Sequence, residues 1–142
     1  MTDPFHLDRF LQAQREMYAT ALAELGNGRK TSHWIWFIFP QLSGLGRSPT
    51  AQHYGIASLA EAQAYLGHPV LGPRLHECLQ ALQSLPPTGA ERIFGALDAM
   101  KFRSSLTLFR AADPADAVVK AALERWFDGR EDEATLELLR RA

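Results

Sequence analysis

The chain has 142 residues, 46% of them hydrophobic, and a formal charge of −1 at pH 7. That length suits one domain, residues 1–142, whose apolar content can fill a core without a disulfide or metal staple, and the lone Cys78 excludes an internal disulfide framework. Acids and bases are interspersed, so no basic face is offered to DNA or long RNA, and the longest strictly apolar run, residues 34–40, falls far short of the roughly 18 that a membrane span needs.

The start, Met1-Thr2-Asp3-Pro4-Phe5, has no basic region followed by an apolar stretch, so no secretory signal and a cytoplasmic location are expected. Asp3 is placed to cap a first helix with Pro4 at its first position, where a missing N–H costs nothing. Leu7, Phe10, Leu11, Gln14, Met17, Tyr18, Ala21, Leu22 and Leu25 then recur at helical steps until Gly26-Asn27-Gly28 ends them. Lys30-Thr31-Ser32-His33 leads into Trp34-Ile35-Trp36-Phe37-Ile38-Phe39, which fits either a buried strand or a buried helical turn or two, and Pro40 stops both.

Ser48-Pro49 starts a helix through His53 and Tyr54, and Ser58-Leu59-Ala60-Glu61 matches a capping box whose helix buries Leu59, Ala62 and Leu66. His68-Pro69 closes it. Leu71, Leu75, Cys78, Leu79 and Leu82 form the next stripe, ended by Leu85-Pro86-Pro87. Residues 91–112 carry Ile93, Phe94, Leu97, Met100, Leu106 and Phe109, with Asp98 as an internal cap. Asp113-Pro114 starts a helix containing Val118, Val119, Ala122, Leu123, Trp126 and Phe127, which Asp128-Gly129 ends. A last helix runs from about Asp132, with Arg140 and Arg141 suited to the negative end of its dipole. Little alternates with period two, so the expected architecture is all-α, a mainly helical domain of six or seven helices.

Two polar clusters could carry chemistry. In the first, Lys30, Ser32 and His33 stand before the aromatic run, where a cation, a hydroxyl and an imidazole could hold a phosphate or carboxylate. An imidazole is the side chain type best suited to proton transfer near neutral pH, so His33 is a candidate catalytic acid or base; Ser32 equally fits a helix cap. Trp34 and Trp36 would diverge by about 200° on a helix but share a face in a strand, so one could stack on a ring while the other packs. Gln41 and Tyr54 flank Gly44-Leu45-Gly46-Arg47-Ser48, a loop able to cradle an anion with Arg47 and Ser48 or to serve as a plain turn. In the second cluster Asp98, Lys101, Ser104 and Ser105 fall on one side of a helix. Asp98 could handle a proton and Lys101 stabilise charge, or the two could form an exposed ion pair.

No metal or cofactor is expected, because His76-Glu77-Cys78 lacks the H-E-x-x-H spacing and Cys78 belongs to an apolar stripe.

From Lys30 to Gly46 the chain reads Lys-Thr-Ser-His-Trp-Ile-Trp-Phe-Ile-Phe-Pro-Gln-Leu-Ser-Gly-Leu-Gly. With Tyr54-Gly55-Ile56, His68-Pro69-Val70-Leu71-Gly72, Ile93-Phe94-Gly95 and Met100-Lys101, this resembles a bacterial family, the Domain of Unknown Function 1810 family, sometimes labelled calpastatin. The resemblance implies a compact, mainly helical domain and brings no reaction. The calpastatin label implies a disordered polar inhibitor, which the apolar content opposes. Met100-Lys101-Phe102 and Gln52-His53-Tyr54 also resemble pieces of the family that handles ADP-ribose linkages and NAD-derived compounds.

Together these readings predict a pocket for an anionic, nucleotide- or ADP-ribose-like small molecule, with hydrolysis of a glycosidic or phosphate bond as the reaction if there is one. The alternative is a non-catalytic protein-interaction or regulatory module that docks through the aromatic segment. Oligomeric state has no signature in the sequence.

Overall fold

In the computed structural model, which describes residues 3–141, the described residues form nine helices: α1 (Asp8–Gly26), α2 (Ile35–Ile38), α3 (Pro49–Tyr54), α4 (Leu59–Gly67), α5 (Leu71–Gln83), α6 (Ala90–Phe94), α7 (Ala96–Ala112), α8 (Ala117–Phe127) and α9 (Glu133–Arg141). The all-α expectation holds, with more helices than the six or seven predicted. One addition is α2, which resolves the strand-or-helix ambiguity of the aromatic run. Another comes from the break at Gly95, whose φ of 80° splits residues 91–112 into α6 and α7.

Aspartate–proline pairs mark turns here, not helix starts. Asp3 does cap α1, but from a distance: its carboxylate accepts from the N–H groups of Leu7 at 2.8 Å and Asp8 at 3.0 Å, across a turn closed by His6 at φ 52°. Likewise α8 begins after Asp116, whose Oδ1 accepts from Val118 and Val119, and not at Asp113-Pro114. Asp98 is no cap either, because Gly95 starts α7 and the Asp98 carboxylate is taken up by two lysines. Ser48 and Ser58 cap α3 and α4 as expected, though Glu61 returns its bond to the Ala57 N–H, one residue earlier than in a standard capping box.

Helix α7 is the central element. It buries Phe102, Ser105, Leu106, Thr107, Leu108 and Phe109 and packs against α4, α6, α8 and α9, while α1 lies on α5 and α2. Phe102 anchors an aromatic cluster, with its ring 4.7 Å from Phe39 and 4.7 Å from Phe94, and Trp34 sits 6.2 Å from Phe39. Cys78 packs inside α5, and burial pushes its thiol up to about 12, so it is unreactive at neutral pH.

The 41–56 region is held by a single parallel bridge, Ser43 N–H to Ile56 O at 2.8 Å and Ile56 N–H to Gln41 O at 2.9 Å. Among the described residues no helix is long and apolar enough to cross a membrane. Residues 1 and 2, on which the expectation of no secretory signal partly rests, lie outside the described residues.

Candidate functional site

The approach to the site is set by the end of α1. Gly28, at φ 73°, completes a Schellman turn in which its own N–H donates to Leu25 O and the Arg29 N–H donates to Glu24 O. The chain then folds back under the Glu24 side chain. That carboxylate accepts four bonds: Ser32 Oγ at 2.6 Å, the Thr31 N–H at 2.8 Å, the Trp34 indole N–H at 2.9 Å and the Ser32 N–H at 3.0 Å. Burial alone would raise the Glu24 carboxyl, but these donors outweigh it and hold it down at about 2. Ser32 is thus a structural clamp, and Trp34 is fully buried.

Beyond this clamp, Lys30 reaches α7. Its Nζ lies 2.6 Å from Asp98 Oδ2, with the lysine side chain only 6% exposed, and 5.1 Å from the Trp34 ring. Lys101 approaches the other oxygen of the same carboxylate at 3.2 Å and lies 4.4 Å over the Trp36 ring. Burial would raise the Asp98 carboxyl; the hydrogen bond and charge of Lys30, then those of Lys101, reverse this and keep it below its ordinary value. Asp98 therefore stays ionised and bonded on both oxygens, which leaves it poorly suited to carry a proton.

Four of the residues singled out by sequence, Trp36, Gln41, Lys101 and Ser104, line one hollow of about 260 Å³ between the 36–46 segment, α7 and the start of α9. Leu97 and Met100, 74% and 65% exposed, also line it. Asp132, which sequence reasoning treated only as a helix start, completes it. Its Oδ2 accepts from Ser104 Oγ at 3.0 Å and from the Thr135 N–H at 3.0 Å, so the cap of α9 is built into the wall.

Gly46, also in the wall, lets its loop pack closely on α3. A Cβ there would lie 2.7 Å from the Ala51 Cβ and 3.4 Å from Gln41 Nε2, so the glycine is required by space and not by a positive φ.

The Gln41 amide is the unusual group. The residue is only 7% exposed, it lines the hollow, and its side chain forms no hydrogen bond to another described residue, so its amide is left to the solvent of the hollow. Two other buried polar side chains, Gln14 and Arg9, are by contrast bonded throughout. Gln14 donates to Phe37 O at 2.8 Å and to Tyr65 Oη at 3.1 Å and accepts from Arg74, and Arg9 uses every N–H it has.

The remaining predicted residues are dispersed. His33 is exposed and does not line the hollow, and neither do Arg47 and Ser48, which are also exposed; Ser48 caps α3. Tyr54 packs on Phe10 and Phe37 at ring distances of 5.9 Å and 5.4 Å. Ser105 is 1% exposed, and its hydroxyl finds no partner among the described residues.

A larger hollow of about 690 Å³, walled by Leu42, Leu59, Ala111, Leu136 and Leu139, takes none of the predicted residues. No group of three or more His, Cys, Asp or Glu side chains among the described residues could hold a metal ion.

No match was found among curated proteins. The chain is similar to a conserved hypothetical protein from Mycobacterium tuberculosis of known crystal structure, with a TM-score of 0.95 and 50% sequence identity over 97% of this chain and 99% of that one. Residues 4–139 match the model of a family described as "Protein of unknown function (DUF1810)". The protein thus belongs to the DUF1810 family, in agreement with the resemblance carried by the 30–46 segment.

Proposed function

We propose that this protein binds a small nucleotide-like molecule in the hollow between the 36–46 segment and α7, engaging its ring end. The observation that carries this reading is Gln41, a residue 7% exposed whose amide has no protein partner and opens onto a hollow that Lys101 and Trp36 also line. An amide with no protein partner at the wall of a hollow is left to water, and a ligand offering the matching donor and acceptor can replace that water. The volume of about 260 Å³ lies at or below the small end of ligand pockets, which supports a base-sized group and not a whole dinucleotide.

The cations expected to grip a phosphate do not collect in this hollow, since Arg47 lies elsewhere and Lys30 is spent on Asp98. Hydrolysis has less support than binding, because His33 stands outside and Asp98 is held between two lysines. Docking through the aromatic run also has less support, since Trp34 is fully buried and Trp36 half-buried.

A thermal-shift panel of free bases, nucleosides and nucleotides tests the reading. At a hundredfold excess over Kd one ligand should stabilise by about 2.7 kcal/mol, a rise in Tm of roughly 5–10 °C for a chain of this size. Lys101→Met and Gln41→Leu should each reduce that rise. No shift with any ligand, or a shift indifferent to both substitutions, overturns the proposal.

A further inference from the structure

Building on the hollow proposed above as a binding site, we infer that the group it recognises is an amide edge, an N–H and a C=O side by side on a planar ring, and not a carboxylate or phosphate. A glutamine side chain presents an NH₂ donor and a carbonyl acceptor in one plane. Only a ligand with the complementary pair satisfies both at once. An anion would take the donor and leave the Gln41 carbonyl facing negative charge, and a hydrocarbon would satisfy neither.

The local charge agrees. Lys30 and Lys101 stand against Asp98 and Asp132, so these four side chains sum to zero. The Lys101 ammonium is already engaged by Asp98 at 3.2 Å and by the Trp36 ring at 4.4 Å. A fixed anion therefore gains little net attraction here, whereas a neutral planar amide loses nothing. Gly46 lies in the wall beside the Gln41 NH₂, where a Cβ would come to 3.4 Å from Nε2. Trp36 and Met100 offer apolar contact to the ring carrying the amide.

Two chemistries share this edge, a primary carboxamide on an aromatic ring and a ring lactam. Saturation-transfer NMR titrations of the whole protein with benzamide and 2-pyridone separate them, with N,N-dimethylbenzamide and 1-methyl-2-pyridone as controls that lack the N–H and benzoate as the anion of the same shape. At least one parent compound should bind about tenfold or more tightly than its methylated control and than benzoate, and Gln41→Met should remove that preference. The ligand comparison on the unsubstituted protein decides the matter even if Gln41→Met folds poorly. Equal binding of the methylated controls, or tighter binding of benzoate that persists in Gln41→Met, overturns the amide inference and leaves the binding site standing. No binding of any of the five compounds up to about 10 mM overturns both.

Discussion

Arg9→Ala should cost the fold about 3–5 kcal/mol and lower Tm by roughly 10 °C or more. Arg9 is 8% exposed, and its guanidinium ties the start of α1 to the segment that precedes α4. Its Nε donates to His53 O at 2.9 Å, Nη1 to Phe5 O and His6 O at 2.8 Å each, and Nη2 to Gly55 O at 3.1 Å and Glu61 Oε2 at 2.6 Å. Alanine removes all of these and leaves Glu61, 4% exposed at its side chain, as an uncompensated buried carboxylate. Arg9→Lys should rescue little, because an ammonium has three donors and cannot reproduce the planar fork. Urea denaturation of the three proteins measures this, and a loss below about 1 kcal/mol for Arg9→Ala would contradict the account.

Lys30→Met should destabilise by about 2–4 kcal/mol at neutral pH, with a loss that depends on acid. Asp98 has its carboxyl depressed below the ordinary 3.8 in the folded protein, after burial is outweighed first by Lys30 and then by Lys101. A depressed folded value contributes stability that is complete above the unfolded pKa and is lost as pH falls through the folded one. Removing Lys30 shrinks that depression. The stability gap between native protein and Lys30→Met should therefore be wide at pH 7 and should narrow below about pH 4. Denaturation curves at about pH 7 and pH 3 check this, and a gap that does not change with pH would show that Asp98 is not what Lys30 holds.

Helix periodicity made most of the fold legible. The stripes of α1, α5 and α8, the caps at Ser48 and Ser58, and the breaks at Gly26-Asn27-Gly28 and Asp128-Gly129 all stand where local rules put them. What local rules could not supply was the distance at which a side chain acts. Asp3 caps a helix that begins five residues later, and Asp98, which looked like a cap, is claimed by a lysine 68 positions away.

For the candidate site, the sequence predicts two segments that meet around one hollow. Trp36, Gln41, Lys101 and Ser104 do meet, because α2 and α9 both rest on α7. His33, Arg47 and Tyr54 do not join them: His33 and Arg47 are exposed elsewhere, and Tyr54 is taken up by packing on Phe10 and Phe37. Glu24 left one readable trace, an acid in the last turn of a helix, where the dipole opposes it and some compensating set of donors is implied. Nothing comparable distinguishes Gln41 from Gln14. Both are glutamines within apolar surroundings, and only the three-dimensional arrangement shows that one is bonded within the protein while the other opens onto a hollow.

The most direct test of the binding hollow is a ¹H–¹⁵N spectrum of the protein titrated with the base or nucleoside that stabilises it best. The account predicts that the Gln41 side-chain NH₂ and the Trp36 indole N–H move with ligand, while the indole N–H of Trp34, bonded to Glu24 at 2.9 Å, stays in place. Resonances that shift only at residues outside this hollow, with Gln41 and Trp36 unmoved, would contradict it.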